Sequence, residues 1–300
     1  MSGEFAYIEW LRKRTPTHPR VLIGPGDDCA ALAPGTRPLL VTTDMLMDGT
    51  DFLLAEVDPR RIGRKAMAVN LSDIAAMAGV PIAAVVSVAL PQITNARKLA
   101  EELYLGMREM ADRFQVPIVG GDTNSWDGKL VISVTLFGEA TERGSVRRNG
   151  AKPGDWLYVT GPLGGSILGR HLDFMPRIAE ALALHEAVDL HAMIDISDGL
   201  SADLHHILEE SGCGATLDAD AIPIHPDAIL RSQSSGRPPL EHALTDGEDF
   251  ELIFAVSPEQ IHRVPSQYHR IGVCTPSGYT ILEGTTPRPL TPRGWIHPLS

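Results

Sequence analysis

The sequence predicts an α/β protein of two domains, and three observations carry that expectation. Short apolar, β-branched runs alternate with amphipathic helical stretches; the chain's 300 residues exceed what one hydrophobic core commonly supports; and glycine and proline concentrate near residue 150, where the pattern restarts. Hydrophobic residues make up 43% of the chain and charged residues 21%, a soluble globular balance with apolar surface to bury.

In chain order, "LLVTTDML" reads as a strand and "PRRIGRKAMAVNLSDIAAMAG" as a helix with apolar residues at helical spacing and a glycine stop. "PIAAVVSVALP" reads as a buried strand closed by Pro91. "NARKLAEELYLGMREMADRF" reads as an amphipathic helix with Leu99, Leu103 and Met107 on one face. "VPIVGGDT" and "KLVISVTLFGEA" are expected as strands around a Gly-rich turn. "RRNGAKPGDWLYVTG" marks the boundary between a domain of residues 1–148 and one of 149–300. In the second half, "DISDGLSADLHHILEESG" is helical from about Leu200, Arg231 to Leu240 ("RSQSSGRPPL") is expected as a flexible loop, and "FELIFAVS" and "GYTILEGTTPRPL" supply late strands.

The net charge of −12 lacks the clustered Lys and Arg of a nucleic-acid footprint. Cys29, Cys213 and Cys274 are far apart with no CxxC pair, which points to reduced, structural thiols rather than a disulfide framework or thiolate zinc site. Neither a secretory signal nor an apolar run of about eighteen residues occurs, so a cytoplasmic protein without membrane contact is expected.

The acids are more informative. Asp27 and Asp28 fall in the turn "GPGDDCA", Asp44 is expected at the end of "VTTD", Asp73 lies in "NLSD", Asp122 follows "VGG", and Asp195 and Asp198 frame "DISD". One aspartate at a turn is usually a cap; several at apolar strand ends can converge outside the carboxyl edge of a sheet. Two carboxylates 4 Å apart repel by about 4 kcal/mol at an effective dielectric of 20, so such a group calls for protons or cations. Carboxylates with Thr42, Thr43 and Ser197 form an all-oxygen donor set suited to Mg²⁺, and with Mg²⁺ goes a polyphosphate. The chain has no GxxxxGK[ST], GxGxxG, HExxH or GxSxG motif; "TGPLGGS" reads as a tight strand-to-helix turn, and His205 and His206 as solvated or packed helix residues.

"GEF", "GDDCA", "VTTDMLMDGTDF", "IGRKAMAVNLSDIAAMAGVP", "GGDT", "RRNGAKPGD", "IDISDGLSADL", "DGEDFEL" and the terminal "GW.H" follow one another along essentially the whole chain. In that order they resemble the thiamine-monophosphate kinase family of the PurM-like (aminoimidazole ribonucleotide synthetase-related) superfamily. The resemblance implies two α/β domains, the amino-terminal one binding ATP and Mg²⁺ and pairing in a homodimer, and transfer of the γ-phosphoryl of ATP to thiamine monophosphate. It implies Asp28, Thr42, Thr43, Asp44, Asp73, Asp122, Asp195 and Asp198 as ligands of several Mg²⁺ ions, with Asp44 and Asp73 bridging. Tyr104, Gly121, Asp122, Arg148 and Ser197 resemble nucleotide contacts, Glu248 and Trp295 match positions that hold thiamine, and Arg177 matches a phosphate contact. The resemblance also implies that relatives usually carry "GVHF" where this chain has "GTDF", which puts Asp51 at a substrate-contacting position. No general base is expected, because the acceptor is already an ionised phosphate oxygen. Two alternatives remain at this point: a sibling enzyme acting on another phosphorylated heterocycle, and a non-catalytic metal- and nucleotide-binding protein.

Overall fold

The computed structural model describes residues 4–16, 18–24 and 29–295. It divides into two compact units, residues 1–74 with 79–144, and residues 75–78 with 145–300.

The first unit contains α1 (Glu4–Arg12), the short antiparallel pair β1 (Val21–Ile23) and β2 (Ala31–Leu32), β3 (Leu39–Met47), all but the last residues of α2 (Pro59–Ala76), β4 (Val80–Pro91), α3 (Ala96–Arg113), β5 (Ile118–Trp126) and β6 (Val131–Glu139). Its sheet has the order β3-β6-β4-β5, with β4 and β5 parallel across the α3 crossover and the other pairs antiparallel. The helical spacing of α3 buries Leu99, Leu103, Met107 and Met110. Buried residues along α2 include Ile62, Met67, Leu71 and Ile74.

The second unit holds β7 (Trp156–Val159), α4 (Arg170–Asp173), α5 (Ile178–Ala187), β8 (Leu190–Asp195), α6 (Leu200–Ser211), β9 (Gly214–Asp218), α7 (Pro226–Ser235), α8 (Pro239–Thr245), β10 (Leu252–Val256), β11 (His269–Thr275), β12 (Tyr279–Glu283) and β13 (Thr286–Pro289). Its sheet runs β13-β12-β9-β11-β7-β10-β8. Leu200, Leu204, Ile207 and Leu208 of α6 pack with Ile194, Leu217, Ile253 and Ile281 in one apolar core.

Four expectations are corrected. Asp44 lies inside β3, which continues to Met47. Gly120 and Gly121 lie inside β5, so no Gly-rich turn precedes Asp122. β4 is fully buried only at Ile82–Ala84 and Leu90, with its remaining residues partly or fully exposed. Arg231 to Leu240 is not a loop: α7 extends to Ser235, Gly236 caps it at φ 72°, and α8 begins at Pro239. The serine-rich end stays helical because Ser232 Oγ and Ser234 Oγ bond back to the carbonyls of Ile229 and Arg231.

Candidate functional site

In the first unit the site grows from the alternation of β3. Leu40, Thr42, Asp44 and Leu46 are buried or half-buried, while Val41, Thr43 and Met45 point to the exposed face. α2 meets the first set. The Thr42 hydroxyl donates to Asp73 Oδ2. Wholly buried Asn70 accepts the Asp44 N–H at Oδ1 (3.1 Å) and donates through Nδ2 to the Ala66 carbonyl (3.1 Å). An amide side chain does both at once; without it, the Asp44 N–H would forfeit about 1–3 kcal/mol. Thr42, Asp44 and Asp73 are thus brought together by a strand and a helix.

Thr43 is not brought to them. Its hydroxyl bonds Thr135 Oγ1 (3.0 Å) and the Val134 carbonyl (3.2 Å), on the opposite side of β3 from Thr42. Asp122 is exposed on the edge strand β5, opposite Ser87. Gly121 beside it has φ +152°, and a Cβ there would lie 1.8 Å from the Val86 carbonyl oxygen; only glycine lets β5 approach β4 at this point. Tyr104 is buried, its ring set edge-on against Trp10 at 5.4 Å, and burial raises the pKa of its phenol. A ring so enclosed offers no open face to a nucleotide. Asp28 lies outside the described residues.

In the second unit the loop 195–198 is the centre. Asp195 closes β8 and is buried; Ser197 and Asp198 lead into α6. Segments far along the chain brace this loop by backbone hydrogen bonds. Glu248 N–H donates to the Ser197 carbonyl (2.7 Å), Phe250 N–H to that of Ile196 (2.8 Å), and Trp295 N–H to that of Asp198 (3.0 Å). Glu248 and Phe250 adopt positive φ of 53° and 51°, strained for residues with side chains, and Glu248 Oε2 lies 3.0 Å from His171 Nδ1. The Trp295 side chain is 51% exposed.

Asp203, which sequence reading did not single out, accepts the N–H groups of Asp198 (3.0 Å) and Gly199 (2.9 Å) at Oδ2. Burial, then the charges of Asp195 and Asp198, push its carboxyl up to about 8. Ligand atoms of Asp198, Asp203 and His206 lie within 4.8 Å of one another, His206 being one helical turn on from Asp203. The donors around both groups are almost entirely oxygen, a chemistry that fits Mg²⁺.

The resemblance gives phosphate and nucleotide contacts to Arg177 and Arg148. Arg177 is committed to buried Glu251 by two bonds (2.8 and 2.5 Å) and to Glu180 (2.9 Å), so the phosphate contact expected of it is not available in this arrangement. Arg148 is exposed, and its carbonyl accepts from Ser211 Oγ.

Residues 26–140 match the family model "AIR synthase related protein, N-terminal domain", and residues 152–275 match "AIR synthase related protein, C-terminal domain". A thiamine-monophosphate kinase of Rhodopirellula baltica is 48% identical over 265 residues, 86% of this chain and 83% of that one. The chain belongs to the thiamine-monophosphate kinase family. Among solved structures, the thiamine-monophosphate kinase of Stenotrophomonas maltophilia K279a matches at TM-score 0.79 and 32% identity, over 93% of this chain and 96% of that one. AaThiL complexed with AMPPCP and TMP matches at TM-score 0.78 and 29% identity, over 98% of this chain and 96% of that one. Membership of the thiamine-monophosphate kinase family agrees with the two α/β units.

Proposed function

We propose that this chain phosphorylates thiamine monophosphate with ATP to give thiamine diphosphate and ADP. The observation that carries the reading is the loop 195–198, where Ile196, Ser197 and Asp198 are joined by direct hydrogen bonds to the segments bearing Glu248 and Trp295. A candidate cation loop and the segments bearing two candidate thiamine contacts are therefore held together. The likeness to a structure complexed with AMPPCP and TMP supports the same substrates.

Within this reading residues 1–148 form the ATP- and Mg²⁺-binding domain. Thr42, Asp44 and Asp73 hold cations in the first half, together with Asp28 and Asp122; Asp195 and Asp198 do so in the second. Gly121, Arg148 and Ser197 contact the nucleotide. Glu248 accepts a hydrogen bond from the thiamine moiety, and the exposed Trp295 ring stacks on it. Mg²⁺, held by these residues, would supply charge neutralisation for the phosphates. The protein's part is to hold donors in place and align the acceptor oxygen with the γ-phosphorus, which forms the new P–O bond as the bond to ADP breaks. The acceptor carries no proton to remove, so no side chain need act as base.

Homodimer formation through the first unit is part of the proposal. Val41 and Met45 of β3 are 58% and 57% exposed on a sheet face that the described residues leave open at those positions. No described helix is long and apolar enough to cross a membrane, in keeping with a cytoplasmic enzyme. The test is incubation with ATP, Mg²⁺ and thiamine monophosphate, followed by chromatography. Thiamine diphosphate is the expected product; its absence, with ATP intact or merely hydrolysed, would overturn the proposal.

A further inference from the structure

We infer that Asp203 is a positioning residue that sets the cation affinity of the loop 195–198 by holding its backbone; the inference rests on the phosphotransfer reading above. Asp203 lies in the first turn of α6 and is 2% exposed. The residue that starts that helix, Gly199, has φ +125° and no side chain with which to cap its open amides. Asp203 reaches back from inside the helix, as the acid of a capping box does, receiving the N–H groups of Gly199 and of Asp198 before it at 2.9 and 3.0 Å on one oxygen.

The consequence falls on Asp198. Its N–H is fixed by Asp203 and its carbonyl by the Trp295 N–H at 3.0 Å, so the position of its Cα and the direction of its side chain are set from both sides. The other braces on this loop, from Glu248, Phe250 and Trp295, run backbone to backbone and survive most substitutions. Asp203 contributes through its side chain, and so is a brace that a single substitution removes. Outer residues that orient metal ligands commonly govern affinity by 10–100-fold.

A competing role is direct ligation, since ligand atoms of Asp198, Asp203 and His206 lie within 4.8 Å of one another. The two roles differ in what an amide does. Asp203→Asn keeps an acceptor oxygen for both N–H groups but gives up the charge that a cation would use; Asp203→Ala loses both.

The experiment titrates Mg²⁺ against wild type, Asp203→Ala and Asp203→Asn, reading thiamine diphosphate formation at saturating ATP and thiamine monophosphate. In parallel it reads the Mg²⁺-dependent rise in melting temperature with a non-hydrolysable ATP analogue. For Asp203→Ala the half-saturating Mg²⁺ concentration should rise about tenfold or more in both readouts, with kcat at saturating Mg²⁺ within a few-fold of wild type. Asp203→Asn should stay within about threefold of wild type. An unchanged Mg²⁺ requirement in Asp203→Ala would overturn the inference, and so would an Asp203→Asn variant as impaired as Asp203→Ala, which would assign the carboxylate to the cation itself. Should Asp203→Ala not fold, Asp203→Ser, with a shorter acceptor, takes its place under the same criteria. A wild type that makes no thiamine diphosphate yet shows the Mg²⁺-dependent stabilisation would count against the proposed function and leave the Asp203 comparison intact.

Discussion

The backbone N–H of Trp295 donates to the carbonyl oxygen of Asp198 at 3.0 Å, so a candidate thiamine contact near the carboxyl end of the chain is fastened to a candidate cation ligand almost a hundred residues earlier. Ser201 reinforces the attachment, its hydroxyl donating to the Arg293 carbonyl (2.6 Å) and accepting the Arg293 N–H (3.1 Å). Ring and backbone of Trp295 therefore have separable jobs. Trp295→Ala removes the ring and keeps the N–H. It should raise the KM for thiamine monophosphate about tenfold, the loss of a stacking contact of about 1.4 kcal/mol, and leave the Mg²⁺ requirement unchanged. Steady-state kinetics with each component varied would check this, and a shifted Mg²⁺ dependence with an unchanged KM would contradict it.

Asp44 and Asp73 share one face with Thr42, whose hydroxyl donates to Asp73. Asp73→Asn preserves an oxygen for that hydroxyl while deleting a charge. We expect kcat to fall by about 100-fold or more in Asp44→Asn and Asp73→Asn, a loss typical of removing one group that stabilises transition-state charge, with the melting temperature maintained. Asp27→Asn should lose less. An inactive Asp27→Asn beside a near-normal Asp73→Asn would reverse the assignment.

Converging carboxylates also predict ligand-dependent stability. Mg²⁺ with ATP at about 100 times Kd should add about 2.7 kcal/mol by mass action, whereas ATP in chelator should add far less. Thermal unfolding under the two conditions gives the comparison. A melting temperature indifferent to Mg²⁺ plus nucleotide would remove the metal from the account.

What was legible in the sequence follows a physical divide. β3 and α3 could be read because their apolar spacing is imposed by burial on one face. Asp73, Asp195 and Asp198 stand out as candidates because acids in apolar surroundings are costly without a purpose. Asn70 and Asp203 escaped notice because each serves a backbone N–H, of Asp44 in one case and of Asp198 and Gly199 in the other, which only the folded chain brings within reach. Thr43 was over-read: adjacency in "VTTD" suggests a common role, but strand alternation turns its side chain to the opposite face from Thr42 and Asp44. The serine run of α7 misled for a similar reason, since hydroxyls that return their bonds to the helix's own carbonyls look like loop residues in sequence.

Asp249 predicts a pH effect. Burial pushes its carboxyl up to about 7 from an ordinary 3.8, against Arg170 at 2.7 Å and the Gly164 N–H, which favour the ionised form. The folded chain therefore holds a proton here that the unfolded chain has released. The stability this provides is complete below about pH 4 and is lost as pH rises through about 7. Urea unfolding at a series of pH values should show stability from this group declining over that interval, and Asp249→Asn should flatten that part of the curve. Parallel curves would mean that Asp249 is ionised throughout.

Asp51 is a candidate substrate contact, and its carboxylate has a local task. Oδ2 accepts the Met47 N–H at 2.6 Å, the Asp51 N–H returns to the Met47 carbonyl at 3.0 Å, and wholly buried Lys65 donates to the Asp51 carbonyl at 2.8 Å. The turn after β3 is thus closed by the same side chain that is proposed to meet the substrate. Charge separates the two duties. A carboxylate about 4 Å from the acceptor phosphate would repel it by about 4 kcal/mol at a dielectric of 20, while at the same distance from the thiazolium it would attract by as much, so a substrate-facing Asp51 belongs on the cationic side of thiamine. Asp51→Asn keeps an oxygen for the Met47 N–H and removes the charge. It should raise the KM for thiamine monophosphate several-fold, leave the KM for ATP unchanged, and preserve the melting temperature. If Asp51→Asn leaves the KM for thiamine monophosphate unchanged while Asp51→Ala lowers the melting temperature, Asp51 serves the turn alone.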